Sequence, residues 1–217
     1  MSRLIAAALL GLCLGAANSL SNSLGSPYSP VSLSSEGILP LQVLAAVLGT
    51  TWAWSITAFL AGWLARRIWT GPVAGMICLL IADLTYYLAD RTSGYTGGLD
   101  RGGLLYWGLL AIPCGLGMGL LGALAAQRRW WSLAPSLAAP VIILLLATPT
   151  GTPDIQPWST IVTNTTALIL ALAMAATWTH RVLLTLNHSP HAGPERQVVP
   201  RLGAPHATTR GPGQPEG

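Results

Sequence analysis

The chain has no lysine, one phenylalanine, four histidines and three cysteines among its 217 residues, and only 8% of them are charged. Each shortage excludes a class of chemistry. Without lysine, no glycine-rich loop can end in the Gly-Lys-Ser/Thr that cradles nucleotide phosphates. No histidine lies deep in an apolar run and no His-Glu-x-x-His occurs, so a zinc peptidase lacks its ligands and an intramembrane Ser-His dyad lacks its base. Cys13, Cys78 and Cys114 are odd in number, form no Cys-x-x-Cys pair and all fall within apolar stretches. They read as small packing residues rather than disulfide partners or metal ligands. Asp83 and Asp90 stand about two turns apart on one helix, a spacing unsuited to metal-assisted phosphoryl transfer. The expectation is a protein that is not an enzyme and carries neither cofactor nor metal.

What the chain does have is apolar length. Hydrophobic residues make up 52% of it, and the mean hydropathy is +0.55. Runs of about 20 such residues recur, the length a helix needs to cross roughly 30 Å of hydrocarbon. This predicts an all-α polytopic membrane protein with six transmembrane helices, over about residues 4–20, 39–64, 72–90, 104–126, 133–148 and 160–185. Residues 1–186 would form the bundle, with Gly71-Pro72 breaking the chain before the third span. Residues 187–217, rich in Pro, Gly, His and Arg, show no periodic apolar face and predict a disordered cytoplasmic tail. His188 and His191 in it lack a third ligand, so solvation is expected there rather than a metal. The first run, Arg3 and then Leu4–Ala17, fits a signal peptide ending at Gly15-Ala16-Ala17 and also fits a first span. Gly11-Leu-Cys-Leu-Gly15, a GxxxG packing pattern, favours the span. The serine-rich stretch from Asn18 to Gly37 reads as an external loop.

The arginines orient the bundle. With the amino terminus inside, Arg3, Arg66, Arg67, Arg128, Arg129, Arg181, Arg196, Arg201 and Arg210 lie on the inner side, leaving only Arg91 and Arg101 outside. That bias predicts N-in/C-in topology and a multi-pass protein of the plasma membrane. Tryptophans near the span ends, among them Trp63, Trp69, Trp107 and Trp178, suit an aromatic belt. Membrane lipids are the expected partners, with a second membrane subunit or another copy of the chain beside them. The basic residues sit at span ends rather than in a patch, so no nucleic acid is expected.

One run carries chemistry. In Ile77–Asp90, the residues Asp83, Tyr86, Tyr87 and Asp90 fall at i, i+3, i+4 and i+7, within one arc of roughly 100°. A charge at bilayer depth costs on the order of 3 kcal/mol, so the stripe should face other helices or a wet cavity, with the rest of the chain packed around it. Asp83 lies about 10 Å from the outer end of its helix at 1.5 Å per residue. Asn164 of the last span falls at about 6 to 9 Å by the same arithmetic. Asp83, Tyr86, Tyr87 and Asn164 are therefore the candidate ligand-binding residues of a small permease or solute-binding subunit. The alternative for Asp83 is hydrogen bonding that fixes helix register. Gly11, Gly15, Gly115, Gly119 and Gly122 are the candidate packing residues, and Pro113 frees a backbone carbonyl beside them. A structural or assembly protein, acting through these helix contacts and an Arg-rich tail without any ligand, is the competing reading.

The pattern Trp52-x-Trp54, Phe59-Leu-Ala-Gly62, Ala65-Arg66-Arg67, Ala74-Gly75, Tyr86-Tyr87, Gly94-Tyr95 and Tyr106-Trp107 resembles a family of small actinobacterial integral membrane proteins of unknown function. The likeness covers about residues 1 to 185. It implies the architecture and transfers no catalytic or binding residue. In size and span count the chain is also similar to substrate-binding subunits of energy-coupling-factor vitamin transporters, with Ala7-x-x-x-Gly11 matching their small-residue seam.

Overall fold

The computed structural model describes residues 2–26, 29, 37–93, 98–127, 130–147 and 157–187. Among these the protein is all-helical: α1 Ser2–Gly25, α2 Leu39–Leu48, α3 Thr51–Ala65, α4 Thr70–Thr92, α5 Arg101–Ala125, α6 Leu133–Leu146 and α7 Pro157–Asn187. A short 3-10 turn, Trp130–Ser132, leads into α6. Helices α1, α4, α5 and the Thr160–Arg181 part of α7 are each long and apolar enough to cross a membrane, and α2 with α3 makes a fifth if the pair counts as one span.

Three local features depart from the sequence expectations. The second span is not one rod, because α2 and α3 meet at a 64° bend. Helix α2 ends at Leu48 with Gly49 as its cap, and the Thr50 hydroxyl donates back to the Val47 carbonyl at 2.6 Å while accepting from the Ala53 amide, which restarts the helix on a new axis. The chain leaves α3 at Arg66, in the left-handed region at φ 57, close to the expected span end at residue 64. Pro72 lies in the first turn of α4, where the missing N–H costs nothing. Helix α1 also runs on through Gly25, so residues 18–25 of the expected loop are helical. The expected fifth span is the 14-residue α6, about 21 Å long, which falls short of roughly 30 Å of hydrocarbon. The tail beyond Asn187, with His188 and His191, lies outside the described residues, as do Glu36, Arg128, Arg129, residues 94–97 and residues 148–156.

Close approach sets the helix directions. Gly11 of α1 meets Cys78 of α4, Gly15 meets Ala82 and Ser19 reaches Asp90, so α1 and α4 run parallel. Gly71 and Gly75 of α4 meet Gly119 and Gly115 of α5, while Tyr87 lies at Gly103, so α4 and α5 run antiparallel. Arg3 donates to the Ala65 carbonyl at 2.6 Å, tying the start of α1 to the end of α3. Trp52 and Ala53 of α3 pack with Ala167 and Ala171 of α7, and Trp63 with Trp178, so those two helices run in the same direction. The start of α1 and the far end of α7 therefore share one end of the bundle.

The core is alanine-rich and centred on α3 rather than on the polar face of α4. One cluster joins Ala58, Phe59, Leu79, Ala111, Met118, Ala125 and Ala139, and a second joins Ala7, Ala61, Ala65, Ala74 and Cys78. The third is built on Trp52, Ala53, Ile143, Ala167 and Ala171. Only α3 contributes to all three. Small residues matter here because lipid is as apolar as leucine, leaving close packing to hold helices together.

Candidate functional site

The polar stripe of α4 lies in a groove, since α4 packs against α1 on one side and α5 on the other. Along that groove the four stripe residues take different surroundings. Asp90, 3% exposed, accepts a hydrogen bond from the Ser19 hydroxyl of α1. Tyr87 turns to α5, where its hydroxyl lies against Gly103 at the first turn. That turn is itself fixed by Asp100, whose Oδ1 accepts from the Gly103 amide at 2.9 Å. Tyr86 sets its ring edge-on to Tyr87, with centroids 5.3 Å apart and planes at 88°.

Asp83 is the unusual member. It is 3% exposed and faces Gly108 of α5, where a β-carbon would sit 3.4 Å from Oδ2. Among the described residues, no hydrogen bond and no ion pair engages its carboxylate. Burial of an unpartnered ionised carboxylate costs several kcal/mol, so such a group takes up a proton or a cation, or keeps a wet cavity beside it. The glycine at 108 leaves room on the side that Asp83 faces. Asp90, a stripe neighbour of the same charge, has its own partner in Ser19.

The structure brings Asp83, Tyr86 and Tyr87 together and leaves Asn164 apart. Asn164 is half-buried on α7, which packs on α6 and α2 and is not a packed neighbour of α4. It shares its helix face with Ala167 and Ala171, on the Trp52 side of the bundle. Depth along the membrane normal had grouped it with Asp83, but depth says nothing about which helices touch.

Sequence reasoning missed the opposite wall. Asn18, Ser19, Ser21 and Ser23 of α1 are all buried, within the stretch expected to be a loop. Their signal was the spacing Gly11, Gly15, Ser19, Ser23, which continues one small-residue seam every four residues past the apolar run. Asn18 lies beside the α2–α3 break, with Oδ1 3.8 Å from where a β-carbon on Gly49 would stand. Gln42 of α2 closes the same end by donating to the Gly25 carbonyl at 3.0 Å.

Each candidate packing glycine stands against backbone of another helix. A methyl at Gly11 or Gly15 would overlap the carbonyl oxygen of Cys78 or Ala82, and one at Gly122 would overlap that of Phe59. At Gly115 it would stand 2.6 Å from the Met76 Cα. Gly119 stands where three helices meet, flanked by Gly62 of α3 and by Gly71 and Gly75 of α4. Cys78 is buried, whereas Cys13 and Cys114 are exposed on outward faces, so only one of the three cysteines packs inside.

The described residues, all-helical with four to five helices or bent pairs long and apolar enough to cross a membrane and joined by backbone-close seams, define the class of helical membrane proteins. Comparison with protein-family models, with curated proteins and with solved structures gives no match to this chain. Among the described residues, no group of three or more His, Cys, Asp or Glu is placed to hold a metal ion.

Proposed function

We propose that the chain is a small permease or solute-binding subunit of the plasma membrane, with its site in the groove where Asp83 of α4 faces Gly108 of α5. The observation that carries this reading is the Asp83 carboxylate, 3% exposed and facing Gly108, with no hydrogen bond or ion pair among the described residues. A single carboxylate with two tyrosine rings a turn away suits a singly charged cationic solute, or a proton carried with a solute. The start of α1 and the far end of α7 share one end, where Arg3, Arg66, Arg67 and Arg181 gather, which supports both termini on the cytoplasmic side. In that orientation Asp83 lies in the outer half of α4.

The competing reading, assembly through glycine seams, would need those seams free for a partner. Gly115, Gly119 and Gly122 are instead covered by α3 and α4 of the same chain. The test is native mass spectrometry of gently purified wild type beside Asp83→Asn, which keeps the shape and removes the charge. A small molecule held by the wild type and lost from a folded variant is the expected result, and its mass names the solute class. Bare protein in both samples, or the same companion polypeptide in both, defeats the binding reading and favours assembly.

A further inference from the structure

At the end of the bundle opposite Asp90, the last turn of α3 collects arginines from three helices. Arg3 of α1 is hydrogen-bonded to the Ala65 carbonyl, Arg66 and Arg67 follow α3 directly, and Arg181 of α7 reaches back over Trp63. All four are exposed. The aspartates of the described residues, Asp83, Asp90 and Asp100, lie in the other half of the bundle, so no described acid balances this charge.

Arg181 is held in a particular way. Its guanidinium carbon lies 5.6 Å from the Trp63 ring centroid and 5.2 Å from that of Trp178. The two indoles meet edge to face, with centroids 6.2 Å apart and planes at 73°. The two indoles hold the cation by cation–π attraction, and a guanidinium's planar fork of N–H donors suits an oxyanion bound through two parallel hydrogen bonds. Height matters as well. Arg181 closes the apolar window Thr160–Arg181, which places the fork where hydrocarbon gives way to headgroups. Trp69, 89% exposed, stands at the same end as a further interfacial anchor.

We infer that the Trp63–Arg181–Trp178 cluster, with Arg66 at the same end of the bundle, is a binding site for the phosphate of an anionic phospholipid headgroup. The occupant is a lipid because the site lies at a span end, and it is anionic because the surrounding charge is positive without a described counter-charge. Two bonds to a phosphate oxygen pair hold the headgroup, Arg66 adds charge, and the acyl chains run down the face of α7 below Arg181, where Leu170 is 37% exposed.

The test uses the full chain in detergent micelles, titrated with phosphatidylglycerol or with phosphatidylcholine of the same chains, and counts retained lipid by native mass spectrometry. Wild type should retain phosphatidylglycerol over phosphatidylcholine. Arg181→Gln should weaken phosphatidylglycerol retention about tenfold, and Arg181→Lys about threefold because it keeps charge but not the fork. Arg101→Gln, at the far end, should leave it unchanged. Thermal unfolding in phosphatidylcholine separates a purely structural role, which would lower stability in both lipids alike. Equal retention by Arg181→Gln and wild type overturns the inference, as does an equal loss in Arg101→Gln or full competition by inorganic phosphate. If Arg181→Gln does not fold, Arg66→Gln decides, with about a threefold loss expected and no loss counting against the site.

Discussion

Helices α4 and the span part of α7 have the same mean hydropathy, yet 33% of the α4 window is buried and only 11% of the α7 window. What separates them is the size and spacing of their small residues. Helix α4 carries Gly71, Ala74, Gly75, Cys78 and Ala82 along the sides that meet α1, α3 and α5, so backbone meets backbone. Helix α7 offers Ala167 and Ala171 and then the large Met174 and Trp178, and it stands off on side chains at the rim of the bundle. Hydropathy reports that a helix can lie in lipid, and side-chain volume decides whether it can lie in the centre.

Substitutions on the two helices' contacts sharpen that contrast. The largest effect is expected at the junction of α3, α4 and α5, where Gly119→Leu has no space to enter. It should cost more than about 3 kcal/mol, seen as loss of the folded fraction in detergent. Next comes Ser19→Ala, which leaves the buried Asp90 carboxylate without its donor. A loss of about 1 to 2 kcal/mol in unfolding by denaturing detergent is expected, and an unchanged midpoint would show that water replaces the serine. The smallest should be Ile169→Ala on the outward face of α7, which is 61% exposed. Its unfolding midpoint should move by no more than about 0.5 kcal/mol, and a larger loss would mean that this face is covered by another polypeptide.

Parts of the bundle could be read in advance because their signals are local. Apolar length marks α1, α4, α5 and α7, and the i, i+3, i+4, i+7 stripe groups Asp83 with Tyr86 and Tyr87. The bend at Gly49 was hidden because residues 39–48 and 51–64 are both apolar and hydropathy carries no direction. Only the Gly-Thr-Thr at the join hinted at a cap. The far end of α1 was hidden for the opposite reason. Its serines lower hydropathy, although their four-residue spacing continues the Gly11–Gly15 seam. Asn164 was misplaced because counting residues from a span end gives height alone.

By itself the sequence determined the chemical class of this protein: helices long enough for a bilayer, arginines gathered at span ends, and one carboxylate set deep in an apolar rod. Those properties follow from composition and from the fixed rise and turn of an α-helix. Only the tertiary structure decided that Asp90 would be matched by Ser19 while Asp83 would face Gly108, and that Arg181 would be gripped by two indoles. A side chain's partner depends on which helices touch and in which direction they run. That is settled by the packing of glycine and alanine against backbone, several helices away in the chain.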